Sequence, residues 1–378
     1  MNNSQHSEQG TQNSVPAPFL AHPAVCSAGV DYVIIVCCRF RALVGVRVAG
    51  REYWSQSNGV KISDTKLHKI NVPRNELDRE RGYTVIYRRM LKRLPYRPVT
   101  GRQLEYKYGF RPVPAGDKVS IYHVADAHGM REEPASLAAR HDDIDLLVLN
   151  GDVINSSETE TQIFNHYFVA SDVTKGTIPC VISRGNHDLR GRLAERLGSY
   201  MPTVNGKFYY TFRAGDVWGM VLDTLEDKPD DHVEYGGVTC CHEIRLDETD
   251  FIKDVIARAE EEYAAPGVRH RLIISHVPIA TVNQPPFDIE KDLYSEWCRL
   301  MTEHIRPTLM LGGHWHQNRI VTPDSGLNHL GAPCTVVWAS EHSGRNFSSA
   351  HITLDGNTAR VTFDYTYKPA ETLSIMCN

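Results

Sequence analysis

Five short polar motifs, each at or just beyond the end of an apolar run, constrain the fold of this chain more than any other feature. They are Asp126-Ala-His128, Gly151-Asp152, Gly185-Asn186-His187-Asp188, a single His276 before Val-Pro, and Gly313-His314-Trp-His316. The runs, at 119–125, 146–149, 180–182, 272–274 and 308–311, read as strands. In α/β sheets the crevice beyond the carboxyl ends of the strands is where ligands bind. Five strand ends would then deliver carboxylate, imidazole and amide groups to one rim. The glycines of the third and fifth motifs allow a tight turn and a close backbone approach where a larger residue would obstruct the site.

The donor types restrict the chemistry. Carboxylate, imidazole and amide oxygen together suit manganese, iron or zinc, whereas calcium and magnesium prefer all-oxygen cages. Two divalent ions about 3.5–4 Å apart need a ligand that spans them, and a two-oxygen carboxylate can do so. Asp152 is the candidate bridge. Nearby residues carry weaker signals. Arg184, two residues before Asn186, either reaches a substrate phosphate through its guanidinium or secures the loop by a salt bridge. His123 shares a strand face with Val119, Ile121 and Ala125 and reads as a buried structural histidine. The spacing of Asn155, His166 and His342 compels no role. The acidic stretch Glu226, Asp227, Asp230 and Asp231 reads as a solvated loop ahead of a helix at 249–262.

The ordered set resembles the calcineurin-like metallophosphoesterase superfamily, whose pattern is D-x-H, G-D, G-N-H-D/E, H and G-H-x-H. The likeness covers roughly residues 118–366. It implies one metal held by Asp126, His128, Asp152 and His316, and a second held by Asp152, Asn186, His276 and His314. The ions implied are two divalent metals, manganese or iron, with zinc as the further option. A metal-bridging hydroxide would be the nucleophile in an in-line attack on phosphorus, with no covalent enzyme intermediate. His187 would stabilise the transferring phosphoryl group or protonate the leaving oxygen, with Asp188 orienting its ring. The D-x-H form is similar to that of class III cyclic-nucleotide phosphodiesterases and of the nuclease branch. The expectation is a phosphoesterase for a small-molecule monoester or diester, with a nuclease or a non-catalytic metal-binding scaffold as the alternatives.

At 378 residues the chain has room for more than one domain. Residues 1–21 read as a disordered polar tail without the cationic start and apolar core of a signal peptide. Residues 22–115 contain short β-rich runs at 32–38, 43–48, 67–72 and 83–87, which read as a small antiparallel sandwich. A β-module ahead of the catalytic core is similar in layout to the fibronectin-III-like N-terminal domain of purple acid phosphatases. Asn155, however, stands where that family places a tyrosine ligand, and His128 is a histidine that its first motif lacks. No tyrosinate-to-iron colour is therefore expected. Residues 116–378 would be the catalytic α/β domain, a four-layer αββα sandwich. Its helices are expected at 161–173, 249–262 and 293–304, with hairpins at 208–223 and 350–365 placed in the second sheet.

The remaining expectations concern partners and location. Net charge is −5, so no global basic field invites nucleic acid or an anionic membrane. The basic patch Arg88, Arg89, Lys92 and Arg93 reads as a solvated face. Nine cysteines form no evident framework, which points to reduced thiols and a cytoplasmic enzyme. No apolar run is long enough to span a bilayer. The sequence carries no signal for an oligomeric state.

Overall fold

The computed structural model describes residues 14–377. The first thirteen residues of the expected tail lie outside the described residues. The rest of that segment is packed rather than loose, because Phe19 and Ala21 are buried and Phe19 bridges to Cys38.

The N-terminal strands are Ala24–Ala28 (β1), Asp31–Cys37 (β2), Ala42–Val48 (β3), Arg51–Trp54 (β4), Leu67–Pro73 (β5), Gly82–Lys92 (β6) and Leu104–Gly109 (β7). They are followed by Lys118–Val124 (β8), Leu146–Asn150 (β9) and Pro179–Ser183 (β10), which lie parallel to one another. Tyr210–Ala214 (β11), Val217–Leu222 (β12), His270–Ser275 (β13), Leu309–Gly312 (β14), Asn318–Val321 (β15) and Val336–Ala339 (β16) build a six-stranded sheet in the order β11-β12-β13-β14-β16-β15. The chain ends in the antiparallel run Asn346–Asp355 (β17), Thr358–Tyr365 (β18) and Glu371–Met376 (β19).

A ten-stranded sheet takes the order β19-β18-β17-β8-β9-β10-β1-β2-β5 along its main path. β9, Leu-Leu-Val-Leu-Asn, is buried along its whole length, as expected of a parallel strand covered on both faces. Four main helices complete the layers: Glu132–Ala138 (α1), Asn165–Thr174 (α2), Cys241–Ala257 (α3) and Lys291–Leu300 (α4). Side chains from both sheets meet in one core that also includes residues of α1 and α2. The other face of the six-stranded sheet packs Met220, Ile273 and Met310 against Ile252 and Val255 of α3 and Trp297 of α4. The result is the αββα arrangement.

Two expectations need correction. The hairpin at 350–365 belongs to the ten-stranded sheet, where β17 pairs with β8, and only the 208–223 hairpin lies in the second sheet. The N-terminal β-region shares its hydrogen bonding with the catalytic core, because β1 pairs in parallel with β10 and carries β2 and β5 with it. A second N-terminal sheet, β7-β6-β3-β4, covers that extension. β2 shows the consequence in its alternation: Tyr32, Ile34 and Val36 face the N-terminal sheet, while Val33, Ile35 and Cys37 face the main core. The small sandwich therefore has one of its two sheets in common with the catalytic fold. All nine cysteines are free thiols. Among the described residues no helix is long and apolar enough to cross a membrane.

Candidate metal centre

The five motifs arrive at one rim from the carboxyl ends of β8, β9, β10, β13 and β14. The backbone there is held in an uncommon conformation. Asp126, His128, Asp152, His314 and His316 all have φ between 46° and 72°, a region that costs a non-glycine residue about 1–3 kcal/mol and persists only where the surroundings enforce it. The enforcement is visible in hydrogen bonds between loops: His128 N donates to Asp152 O at 2.8 Å, and Gly313 N to His276 O at 2.8 Å. Gly313 is required by space, since a Cβ there would lie 2.8 Å from both Ala125 Cβ and Asp126 Oδ2.

Asp126 and Asp152 are both buried. Asp126 Oδ2 accepts from His314 N at 2.8 Å, while Oδ1 has no hydrogen-bond partner. Around Oδ1 stand His316 Nε2 at 3.3 Å, His128 Nε2 at 3.7 Å and His276 Nε2 at 3.9 Å. Donors bound about 2.0–2.2 Å from one divalent ion stand about 3.0–3.4 Å apart, so a buried, unpartnered carboxylate oxygen ringed by imidazole nitrogens fits a cation. Donor atoms of Asp126, His128 and His316 lie within 4.8 Å of one another, and so do those of Asp152, His276 and His314. Asp152 also groups with His128 and His187, and it therefore faces both sets. The Asn186 amide completes the second set, 3.1 Å from His314 Nδ1 and 3.1 Å from Asp152 Oδ2.

Three of the imidazoles that turn one nitrogen inward have the other one fixed, the arrangement that orients metal-binding histidines. His276 Nδ1 donates to Asn150 O at 2.8 Å, His128 Nδ1 meets Asn155 Oδ1 at 3.1 Å, and His314 Nε2 meets Asp227 Oδ2 at 3.0 Å. Burial pulls the His276 imidazole down, but the carboxylates of Asp152 and Asp126 outweigh it and hold it up at about 10. Burial raises the Asp126 carboxyl, and the neighbouring imidazoles, led by His276, hold it below the usual carboxylate range. Two buried carboxylates demand compensating positive charge at this rim.

His187 sits on the solvent side, its ring edge-on to His128 at 4.7 Å between centroids. Its Nδ1 donates to Asn155 O at 3.0 Å, which leaves Nε2 facing Arg190 Nη1 at 3.5 Å. The expectation that Asp188 orients this ring is not met. The Asp188 carboxylate is buried and accepts from Gly185 N at 2.7 Å and Asp152 N at 3.3 Å, clamping the two loops together. Its other oxygen faces His166 Nε2 at 3.1 Å, which gives His166 a structural place. Arg184 is held by a carboxylate and also lines the cleft that opens beside Arg190. Its guanidinium holds Asp223 through Nε at 2.9 Å and Nη2 at 2.6 Å and lies over the Phe208 ring, 4.0 Å from the centroid.

Arg190 is the arginine at the rim, and sequence reasoning missed it. Its spacing of three from His187 within a tight helical turn was the available signal. Glu226 grips it through Nε and Nη2, both at 2.9 Å. The acidic loop is also not a solvated one: Glu226 and Asp227 are buried, and Asp230 caps α3 by accepting from Cys241 N at 2.7 Å and His242 N at 3.0 Å. Asp231 remains exposed. Burial raises the Asp227 carboxyl, and His314 and Lys228 more than offset this. Beside Arg190 opens a cleft of about 850 Å³, walled by Leu189, Leu225, Glu226, Tyr235 and Val238. His342 stands 4.9 Å from His128, ring to ring, at the opposite edge.

Comparison with known proteins places this geometry. The family model for calcineurin-like phosphoesterases matches residues 119–318. No curated protein matches the chain. Among solved structures, that of PhoD superposes with a TM-score of 0.55 at 9% identity, covering 96% of this chain and 90% of PhoD. Vacuolar protein sorting 29 from Cryptosporidium parvum gives 0.35 at 12% identity, over 69% of this chain and all of its own. The family match spans the five strand ends, and with it the chain belongs to the calcineurin-like phosphoesterases.

Proposed function

We propose that the protein is a dinuclear metal-dependent hydrolase of small-molecule phosphoesters, monoester or diester. The observation that carries this reading is the placement of Asp152 between two donor sets, beside the unpartnered buried oxygen of Asp126. Asp126, His128, Asp152 and His316 would hold one divalent ion, and Asp152, Asn186, His276 and His314 the other. Manganese or iron suits these donors, with zinc as the alternative. Bound there, such ions supply Lewis acidity toward phosphoryl oxygens and a water that ionises near pH 7.

The chain's own groups do the rest. His187, with Nδ1–H tied to the Asn155 carbonyl, presents Nε2 to the leaving oxygen and, in its doubly protonated imidazolium form, delivers the Nε2 proton to it and is left as the neutral ring. Arg190, fixed by Glu226, keeps Nη1 beside His187 to bind a non-bridging phosphoryl oxygen. The adjacent cleft receives the organic part of the ester. The test is the Mn²⁺-dependent rate on a nitrophenyl phosphate monoester against the bis-nitrophenyl diester. Turnover of either that is lost in His187→Ala supports the reading, and faster diester cleavage assigns a phosphodiesterase. Metal bound at the rim with no turnover of either ester would instead establish a scaffold.

A further inference from the structure

The net charge of −5 conceals a local field of opposite sign. Residues 88–102 carry Arg88, Arg89, Lys92, Arg93, Arg97 and Arg102 and no acidic residue. They fold as a hairpin from the end of β6, with Met90 paired to Thr100 and Lys92 to Val99. None of the six cations forms an ion pair among the described residues. Residues 91–99 are all exposed, and four of them are large hydrophobic residues: Leu91, Leu94, Tyr96 and Val99, with Tyr96 at 87%. Phe40 joins them, exposed and covered on one face by the Arg89 guanidinium 3.8 Å from its centroid. Five of the fifteen exposed large hydrophobic residues among the described residues thus gather around one strongly cationic hairpin.

We infer that this hairpin is a membrane-surface anchor that docks on anionic lipid. The charge complements an acidic headgroup layer, and each nearby arginine or lysine contributes about 1 kcal/mol to such binding. Leu91, Leu94 and Val99 are aliphatic and offer no flat face for stacking on bases, but they insert between acyl chains, and Tyr96 suits the boundary. Position supports the same occupant. β1 runs parallel to β10 toward the metal rim, and β2 runs back and ends at Cys37, close to Phe40 and the hairpin. Docked through this end, the protein keeps its rim open to water and soluble esters. The docking does not depend on the phosphoesterase reading.

The test is co-sedimentation of the full chain with vesicles of phosphatidylcholine alone or with roughly 30 mol % phosphatidylserine, a composition that makes the surface negative. The expected result is binding to the anionic vesicles only, weakened as salt rises. Arg93→Gln with Arg97→Gln should lower the partition coefficient by about 30-fold, and Leu94→Asp with Tyr96→Asp should abolish it. Neither pair should change melting temperature or nitrophenyl ester turnover. Equal binding to neutral vesicles, no binding at all, or binding that survives both pairs overturns the proposal. Capture of single-stranded RNA by the hairpin with vesicles ignored also overturns it.

Discussion

Replacing Gly185 by alanine probes the rim with a single methyl group. A Cβ at this position would lie 2.6 Å from Asp152 N and 2.8 Å from His276 Cδ2, with the Asp152 carboxylate closer still. Comfortable carbon contacts begin at about 3.5 Å, so Asp152, His276 or the loop must move by about 1 Å. Overpacking of this kind costs about 1–3 kcal/mol. With about 2.1 cal/mol/K of unfolding entropy per residue over this chain, the melting temperature should fall by about 1–4 °C. Function should suffer far more, because a displacement of about 1 Å at reacting groups costs about 100-fold in rate. Gly326→Ala is the control, since its Cβ would meet nothing within 4 Å. Scanning fluorimetry, metal content per chain and the rate on the nitrophenyl esters together decide the matter. A Gly185→Ala protein with full turnover and two metals per chain would refute the claim that close packing of Asp152 against His276 positions the site.

Other outcomes follow from the same geometry. His187→Ala should lose most turnover while keeping its metal, and metal loss measured by atomic emission would contradict the role given to that ring. Asp227→Asn removes the carboxylate that fixes His314 and should weaken metal affinity about 10–100-fold in a chelator competition. Arg190→Gln should depress kcat/KM and also destabilise, because it leaves the buried Glu226 carboxylate without its partner, as Arg184→Gln does for the buried Asp223; each should cost about 3–5 kcal/mol in urea titrations, and only Arg190→Gln is expected to act on phosphoryl binding. His68 is buried with neither ring nitrogen partnered, and burial lowers its imidazole to about 4. The unfolded chain holds that proton up to about pH 6.5, so the stabilising difference is complete above pH 6.5 and shrinks as pH falls toward 4. About 3 kcal/mol should be lost over that window, and His68→Leu should flatten this part of the stability profile.

What was legible in the sequence was local. The strand ends at Val124, Asn150, Ser183, Ser275 and Gly312 show as apolar runs closed by polar motifs, and the order of those motifs carried the family. What was not legible depends on distant partners. Pairing of Val25 with Pro179 joins segments more than 150 residues apart, and nothing in the 22–48 region announces that it extends the catalytic sheet. α3 begins at Cys241, not at 249, because the charged stretch 241–248 hides a helix whose capping carboxylate, Asp230, comes from eleven residues earlier. Glu226 and Asp227 look like solvated acids until Arg190, Lys228 and His314 are placed around them. Arg184 and Arg190 are equally plausible phosphate ligands by type, each gripped by a buried carboxylate, Asp223 or Glu226, and only the approach of Arg190 Nη1 to His187 Nε2 separates them.

The proposed function requires two ions to share Asp152 at this rim. Crystals grown with Mn²⁺ and measured at the manganese absorption edge test it most directly. Two anomalous peaks are expected about 3.5–4 Å apart, both in contact with the Asp152 carboxylate, one beside Asp126, His128 and His316 and the other beside Asn186, His276 and His314. A single peak, or two peaks that Asp152 does not touch, would contradict it.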